Sequence, residues 1–496
     1  MMPKQQLCVT VTGSTMVELR RQRDAVADAD LLELRLDSVR DPDVAGALTG
    51  RRRPVLVTCR PTWEGGSFAG SEEERKRLLA QALAGGAEYV DIEARAGFDD
   101  LIGQTSGKRI VLSMHDFHGM PSDLETRLRS MQATGAEIVK MAVTARSLGD
   151  VVTLLDVASR AHPLHGVVLV GMGEHGMVTR VLPSRFQSMW AYAGALTEVG
   201  QLTPETLLNE FRFRDLGSTT SLYGVVGSPV SHSVSPAMHN AAFRAAGIDA
   251  VYLPLPAVDV DDFVTFARAL RLQGASVTVP YKVRLFSRVD RASAVARQIG
   301  AINTISVRGG EWFGDNSDVQ GFLEPLDEGL PLAGRRAAVL GAGGAARGAA
   351  IGLASRGARV AVHARNQQRA AEVAALVSGS VGAWPPERGS WDLLVNCTPV
   401  GMYPHVDETP LAREQLVAGT TVYDLVYNPQ TTRLLREAGR AGCETIGGLG
   451  MLVGQARQQF DWWTGVRPSA GIMREAATRK LAEFPVNRGE GLGLRA

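Results

Sequence analysis

The sequence predicts an α/β protein in two parts. A (β/α)8 barrel fills roughly the first 210 residues, and a two-lobed unit follows whose second lobe is a doubly wound sheet of Rossmann type. Three observations predict this. Eight short β-branched runs recur before residue 195, each followed by a polar or helical connection. The same alternation resumes after residue 220, where GAGGAARGAA at 341–350 stands between the strand-like AAVL and a helix-forming run. Between the two parts, 211–220 reads FRFRDLGSTT, two arginines and then a Gly/Ser/Thr run.

The barrel strands are expected at 7–13 (LCVTVTG), 31–37 (LLELRLD), 54–60 (PVLVTCR), 89–94 (YVDIEA), 109–116 (RIVLSMHD), 137–143 (EIVKMAV), 166–173 (GVVLVGMG) and 188–194 (SMWAYAG), giving a domain over 1–212 and a linker over 213–220. Strands at 223–226, 251–254 and 274–278, with amphipathic helices between them, form a first lobe over 221–330. The second lobe, 331–450, has strands at 337–340, 359–363, 393–396, 421–424 and 444–446. Helical sequence over 451–486 returns to complete the first lobe, and the Gly/Arg-rich 487–496 reads as a flexible tail.

Composition bounds the function. A length of 496 residues allows about three domains, and 45% hydrophobic with 21% charged residues suits packed cores. The net charge of +1 argues against a nucleic-acid or membrane-surface partner held by a basic field. Cys8, Cys59, Cys397 and Cys443 lie far apart with no CxxC spacing, as expected of reduced thiols. No apolar run reaches the roughly 20 residues of a membrane span. The N-terminus carries no secretory or transit pattern, so the cytoplasm is the expected location.

In LLELRLD, period-two alternation sets Glu33, Arg35 and Asp37 on one face. A barrel packs helices on its outside, so these charges must point into the mouth, where barrel enzymes keep their chemistry. Arg60, Glu93, His115 and Lys140 arrive at the same rim from four successive strands. Burial in VKMAV favours the neutral amine that an imine-forming lysine needs. The imine is an electron sink that acidifies the neighbouring C–H. Histidine then serves as base and later as acid to the leaving hydroxyl, with Glu93 to orient it. Rim arginines suit a carboxylate. His118 has no third ligand, and no metal is expected.

ELRLD, TCR, YVDIE, SMHDF, KMAV and GMVTR (176–180) together resemble type I 3-dehydroquinate dehydratase over roughly 5–212. The resemblance implies that Lys140 forms the imine with the C3 ketone and that His115 is the general acid/base, supported by Glu93. It further implies that Glu33, Arg35, Arg60 and Arg180 hold the substrate, with Gln201 on a closing loop. Thr197 stands where the family has Ser, and keeps a hydroxyl.

In the second part Gly341, Gly343 and Ala346 satisfy GxGxxA. The first Gly makes the turn, the second admits a pyrophosphate, and the small third residue lets helix and strand pack. Phosphate then sits on the helix N-terminus, beside Gly344 and Ala345. The next strand ends in His363-Ala364-Arg365 rather than a carboxylate, which favours NADP over NAD. Upstream, Ser233 and Ser235 suit a carboxylate, and Lys282 with Asp318 suits proton transfer to a nascent alkoxide.

The blocks HSVSP, VTVPYK, GAINT, DNSD, GAGGA, NCTPVGM, YDLVYNP and GGLGMLVGQA resemble shikimate dehydrogenase, from about 222 to 484. The resemblance implies a shikimate-dehydrogenase-like unit in which Lys282 and Asp318 are the catalytic pair. Ser233, Ser235, Thr278, Asn303, Tyr427 and Gln455 would contact shikimate, Asn396 and Met451 would flank the nicotinamide, and Gly450 would also bind the cofactor. Ala364-Arg365-Asn366 departs from the family's Asn-Arg-Thr and keeps only the arginine.

The two resemblances reinforce each other, since 3-dehydroshikimate, the product of the first, is the ketone the second reduces to shikimate with NADP(H). The expected partners are these small molecules. Quinate oxidation in the second part is the alternative, separable by a substrate and cofactor matrix.

Overall fold

The computed structural model describes residues 5–484 apart from 163 and 328, so the expected tail at 487–496 lies outside the described residues. Eight parallel strands come first: β1 (Gln6–Val11), β2 (Leu31–Arg35), β3 (Val55–Thr58), β4 (Tyr89–Glu93), β5 (Ile110–Asp116), β6 (Ile138–Thr144), β7 (Gly166–Met172) and β8 (Trp190–Ala193). They lie in the order β7–β6–β5–β4–β3–β2–β1–β8. Closure between β7 and β8 is thin. It rests on a parallel bridge between Val167 and Ser188, on Met189 N–H donating to Val167 O at 2.9 Å, and on Leu169 N–H donating to Ser188 Oγ at 2.9 Å. The Ser188 hydroxyl thus replaces one missing backbone acceptor. Nearly every strand residue is buried, as a parallel sheet covered on both faces requires.

Twelve further strands follow: β9 (Ser221–Gly227), β10 (Ala250–Pro256), β11 (Gly274–Val277), β12 (Arg291–Ala292), β13 (Thr304–Arg308), β14 (Glu311–Asp315), β15 (Arg336–Leu340), β16 (Arg359–His363), β17 (Ser380–Gly382), β18 (Leu393–Asn396), β19 (Thr421–Asp424) and β20 (Glu444–Gly447). One six-stranded sheet runs β10–β9–β11–β13–β14–β12, and the other runs β17–β16–β15–β18–β19–β20. The second is all parallel and doubly wound, as expected. The first is mixed. Antiparallel β13–β14 turns on Gly309 and Gly310, whose φ of 60° and 88° suit a two-residue hairpin. This hairpin, with the short β12 and β17, is absent from the sequence expectation.

The chain forms two compact units. The first holds the chain up to Leu222 together with Ser228–Ser231 and Asp249–Leu272. The second holds Tyr223–Gly227, His232–Ile248 and the chain from Gln273 onward. Within the first unit the helix Val260–Ala269 packs on the barrel helix Leu148–Ser159. Asp262 caps that barrel helix, accepting from Leu148 N–H at 3.2 Å and Gly149 N–H at 2.7 Å. In the second unit the helices Asp318–Asp327 and Leu449–Thr464 pack tightly. A Cβ on Gly454 would lie 3.0 Å from Gly321 Cα, so the two glycines permit the approach. Among the described residues no helix is long and apolar enough to cross a membrane.

Candidate active sites

A cavity of about 340 Å³ opens at the C-terminal ends of the barrel strands. Glu33, Arg35, Arg60, His115, Lys140, Arg180 and Gln201 all line it, as expected. Lys140, in the middle of β6, is 4% exposed. Its Nζ donates to Asp91 Oδ2 at 3.2 Å, lies 3.6 Å from Glu33 Oε1, and sits 4.4 Å from the centre of the Tyr192 ring. Glu33 also accepts from the hydroxyls of Thr10 (2.9 Å) and Thr58 (3.0 Å). Asp91 also accepts from Ser113 Oγ at 2.5 Å and pairs with Arg60 at 2.9 Å. The arginine and the lysine hold its carboxyl below the usual range against the burial that would raise it.

The partner of His115 is not the expected one. His115 Nδ1 lies 3.0 Å from Glu64 Oε1, and the same oxygen accepts the His115 backbone N–H at 3.0 Å. Glu93 instead pairs with Arg60 at 2.7 Å and with Arg75, both buried. The reason is local. After Arg60 the chain folds back on itself, with Phe68 N–H donating to Arg60 O at 3.1 Å, and a Cβ on Gly66 would sit 2.0 Å from that oxygen. Gly65, at φ 77°, ends the short helical turn Thr62–Glu64 and turns Glu64 onto the histidine. Burial raises the Glu64 carboxyl to about 7, while burial first, then Arg60, Lys140 and Arg35, push His115 well down.

The arginines divide. Arg60 is engaged by Asp91 and Glu93, so its place in the lining is that of a strut rather than a free cation. Arg35 forks onto Asp37 at 2.9 and 2.8 Å. Arg180, 3% exposed, donates only to the Gly173 and Val199 carbonyls among its recorded contacts, at 3.1 and 2.6 Å. Burial lowers it to about 10, the mark of a cation lacking a carboxylate. Gln201 Nε2 donates to Thr10 Oγ1 at 3.3 Å. Thr197 is exposed and outside the lining, because its turn presents Glu198 and Val199 to the cavity instead.

In the second unit Lys282 Nζ donates to Asp318 Oδ2 at 2.7 Å, and Asn303 Nδ2 donates to Asp318 Oδ1 at 2.8 Å. Three expected residues thus meet directly. Ser235 opens the helix Ser235–Ala246, and its N–H donates to Ser233 Oγ at 3.2 Å. Thr278 follows β11 and Tyr427 follows β19, both half-buried. Gln455 lies against Gly321, one turn along the Asp318 helix, with its N 2.5 Å from where a Gly321 Cβ would be.

The glycine loop fits a dinucleotide. Gly341 has φ 105°, Gly343 precedes the helix Gly344–Ser355, and Cβ atoms at Gly343 or Gly344 would meet nothing within 4 Å. Ala345 follows in the first turn, and Arg365 is exposed just past β16. Asn396 departs from expectation. It is fully buried, donating to Asp424 Oδ1 at 2.9 Å and accepting from Thr398 Oγ1 at 2.6 Å, because Asp424 is its register partner across β18–β19 and needs a donor. Gly450 backs onto Pro325, and Met451 is half-buried beside the sheet core.

Comparison with known proteins separates the same two parts. Residues 7–218 match the type I 3-dehydroquinase family, 225–305 the shikimate dehydrogenase substrate binding domain, and 448–478 the shikimate 5′-dehydrogenase C-terminal domain. The bifunctional 3-dehydroquinate dehydratase/shikimate dehydrogenase of Arabidopsis thaliana, a chloroplastic protein, is 36% identical over 478 residues, covering 88% of this chain and 78% of that one. The chain belongs to this bifunctional family.

The second part of this bifunctional dehydratase/dehydrogenase has separate relatives. An NADP(+) shikimate dehydrogenase from Symbiobacterium thermophilum is 43% identical, covering 53% of this chain and 96% of its own. The Thermus thermophilus shikimate 5-dehydrogenase, solved with NADP(H) and shikimate, matches with a TM-score of 0.50 and 37% identity, covering 52% of this chain and 99% of that one. The bifunctional chain is thus a type I dehydratase, whose class works through a Schiff base, joined to an NADP-dependent shikimate dehydrogenase of the shikimate pathway.

Proposed function

We propose that Lys140 is the imine-forming residue and that Lys282 and Asp318 carry the reduction. One observation supports the first assignment above the others. The amine in the cavity lining is buried, and His115 with Glu64 and the carboxylate-free Arg180 line the same space. Arg180 takes the substrate carboxylate, and Glu33 takes hydroxyls. Lys140 Nζ adds to the ketone carbon and water leaves as the imine forms. Glu64 accepts a hydrogen bond from the His115 Nδ1–H, which leaves Nε2 unprotonated and able to remove the proton next to the imine carbon. The electron pair moves into the imine, returns to expel the hydroxyl, and His115 gives that hydroxyl its proton. Hydrolysis of the imine frees 3-dehydroshikimate and Lys140. Borohydride added with 3-dehydroquinate should fix a mass on the peptide that contains Lys140. A mass fixed on another residue, or none, overturns the assignment.

In the second unit NADPH, when bound, supplies the hydride, and Gly341, Gly343, Gly344 and Ala345 would hold its pyrophosphate. Arg365 would hold the 2′-phosphate, and Gly450 with Met451 would line the nicotinamide side. Lys282 gives a proton to the new alkoxide, and Asp318 holds the ammonium in place. Ser233, Ser235, Thr278, Tyr427 and Gln455 would bind the shikimate carboxylate and hydroxyls.

The domain boundaries that fit these roles are 1–212 for the dehydratase, 213–220 for the linker, 221–330 with 451–486 for the substrate lobe, and 331–450 for the cofactor lobe. Four free thiols support a reducing compartment such as the cytoplasm. The partners are 3-dehydroquinate, 3-dehydroshikimate and shikimate.

A further inference from the structure

The helix Leu449–Thr464 carries Gln455 and, one turn later on the same face, Gln459. Gln459 is 1% exposed, and its side chain also hydrogen-bonds the buried His239. Its Oε1 accepts from Ser276 Oγ at 2.7 Å. Its Nε2 donates to Asn303 O and to Thr304 Oγ1, both at 3.1 Å. Asn303 O only accepts, so the NH2 must face it and the amide has one orientation.

That orientation propagates. Thr304 Oγ1 accepts from Gln459, so its single proton goes to Asn303 Oδ1 at 2.7 Å. Ser317 N–H also donates to Asn303 Oδ1, at 2.8 Å. The Asn303 NH2 must then face Asp318 Oδ1, 2.8 Å away, and Lys282 holds the other oxygen at 2.7 Å. A flipped Asn303 would set its oxygen against the carboxylate. Every donor in the series Gln459, Thr304, Asn303 points the same way, and the series ends on the carboxylate that holds the lysine.

We propose that Gln459 is a positioning residue for the dehydrogenase reaction. It fixes the direction of the buried hydrogen bonds behind Asn303 and ties the Lys282–Asp318 pair to the helix that carries Gln455. This rests on the reading of Lys282 and Asp318 as the reacting pair. Gln459 itself touches neither substrate nor cofactor in this role.

The test is steady-state shikimate oxidation by the full chain, with the dehydratase rate of the same preparation as the concentration control and NADP+ titration as the folding control of the second unit. Gln459→Leu is expected to lower kcat about tenfold with KM for NADP+ unchanged. Thr304→Val is expected to do the same, and the double variant to fall no further than the lower single, because both cut one series. Gln459→Glu adds a signature that loss of packing does not give. Its carboxylate only accepts, so Thr304 turns away from Asn303, and its rate relative to the unsubstituted chain climbs as falling pH restores a donor. The titratable groups facing it are the buried His239, which burial holds neutral down to about 3, and, through Asn303, Asp318. A Gln459→Leu rate within about twofold of the unsubstituted chain, a parallel change in KM for NADP+, a double variant equal to the product of the singles, or a flat Gln459→Glu ratio overturns the proposal. Lys282→Met separates the two levels. If it keeps its kcat, the reading of the pair fails. If it is inactive while Gln459→Leu is normal, only the role of Gln459 fails.

Discussion

In the barrel, Lys140 lies between Asp91 and Glu33, Arg60 lies between Asp91 and Glu93, and Arg75 closes the series on Glu93, all of them buried. Around Lys282 in the second unit the ion pair recorded among the described residues is Lys282–Asp318, with side chains 28% and 13% exposed and the neutral Asn303 amide behind it. The difference follows from the chemistry. Type I dehydratases work through a Schiff base on the protein's own lysine, so the barrel charges can be assembled and compensated beforehand, with Arg180 left on carbonyls alone among its recorded contacts. The dehydrogenase brings two ligands together and needs one proton donor held in line.

The contrast can be broken from either side, and the largest effect is expected at Lys140. Lys140→Ala should lower dehydratase kcat by a factor on the order of 10⁴ and abolish the borohydride adduct, leaving shikimate oxidation untouched. A trapped adduct in that variant would sink the assignment. Lys282→Met should cost about a thousandfold in shikimate oxidation while NADP+ binding, read by titration, stays the same. Loss of cofactor affinity alone would mean the lysine is not the acid.

Glu64→Gln sharpens the comparison through pH. The Glu64 carboxyl is raised to about 7, so it takes up a proton as pH falls through that value. A protonated Glu64 no longer accepts from His115 Nδ1 as a carboxylate does, and in the proposed mechanism the base is then lost. Dehydratase kcat should therefore fall as pH drops through about 7. Glu64→Gln should cost about a hundredfold and flatten that limb. A limb unchanged in Glu64→Gln would return the role to another carboxylate. The smallest effect is expected at Arg365. Arg365→Ala should raise KM for NADPH about tenfold and leave NADH nearly unchanged, and equal effects on both would show that it does not read the 2′-phosphate.

The strands of both parallel sheets other than β17 were legible because buried β-branched runs between helices leave a strong pattern, and the charges of LLELRLD pointed to the barrel mouth through their spacing once the outside of a barrel is taken up by helices. The β13–β14 hairpin was missed although Gly309-Gly310 marks its turn, and β12 and β17 are too short to leave a period. Glu64 was missed for a different reason. Strand periodicity speaks for residues on strands, and Glu64 reaches His115 from a turn whose path is set by Gly65 and Gly66. Asp91 was legible in principle, two residues before Glu93 on the same face of YVDIE. Asn396 was placed at the cofactor from its motif, but the need of buried Asp424 for a donor decides its contacts.

The measurement that tests the two-centre account most directly is NADPH oxidation from 3-dehydroquinate by three preparations: Lys140→Ala, Lys282→Met, and an equal mixture of the two. Each variant alone should leave NADPH unchanged, and the mixture should consume it and accumulate shikimate, because the first product reaches the second site through solution. Consumption by either variant alone, or none by the mixture, would contradict two independent centres on these residues.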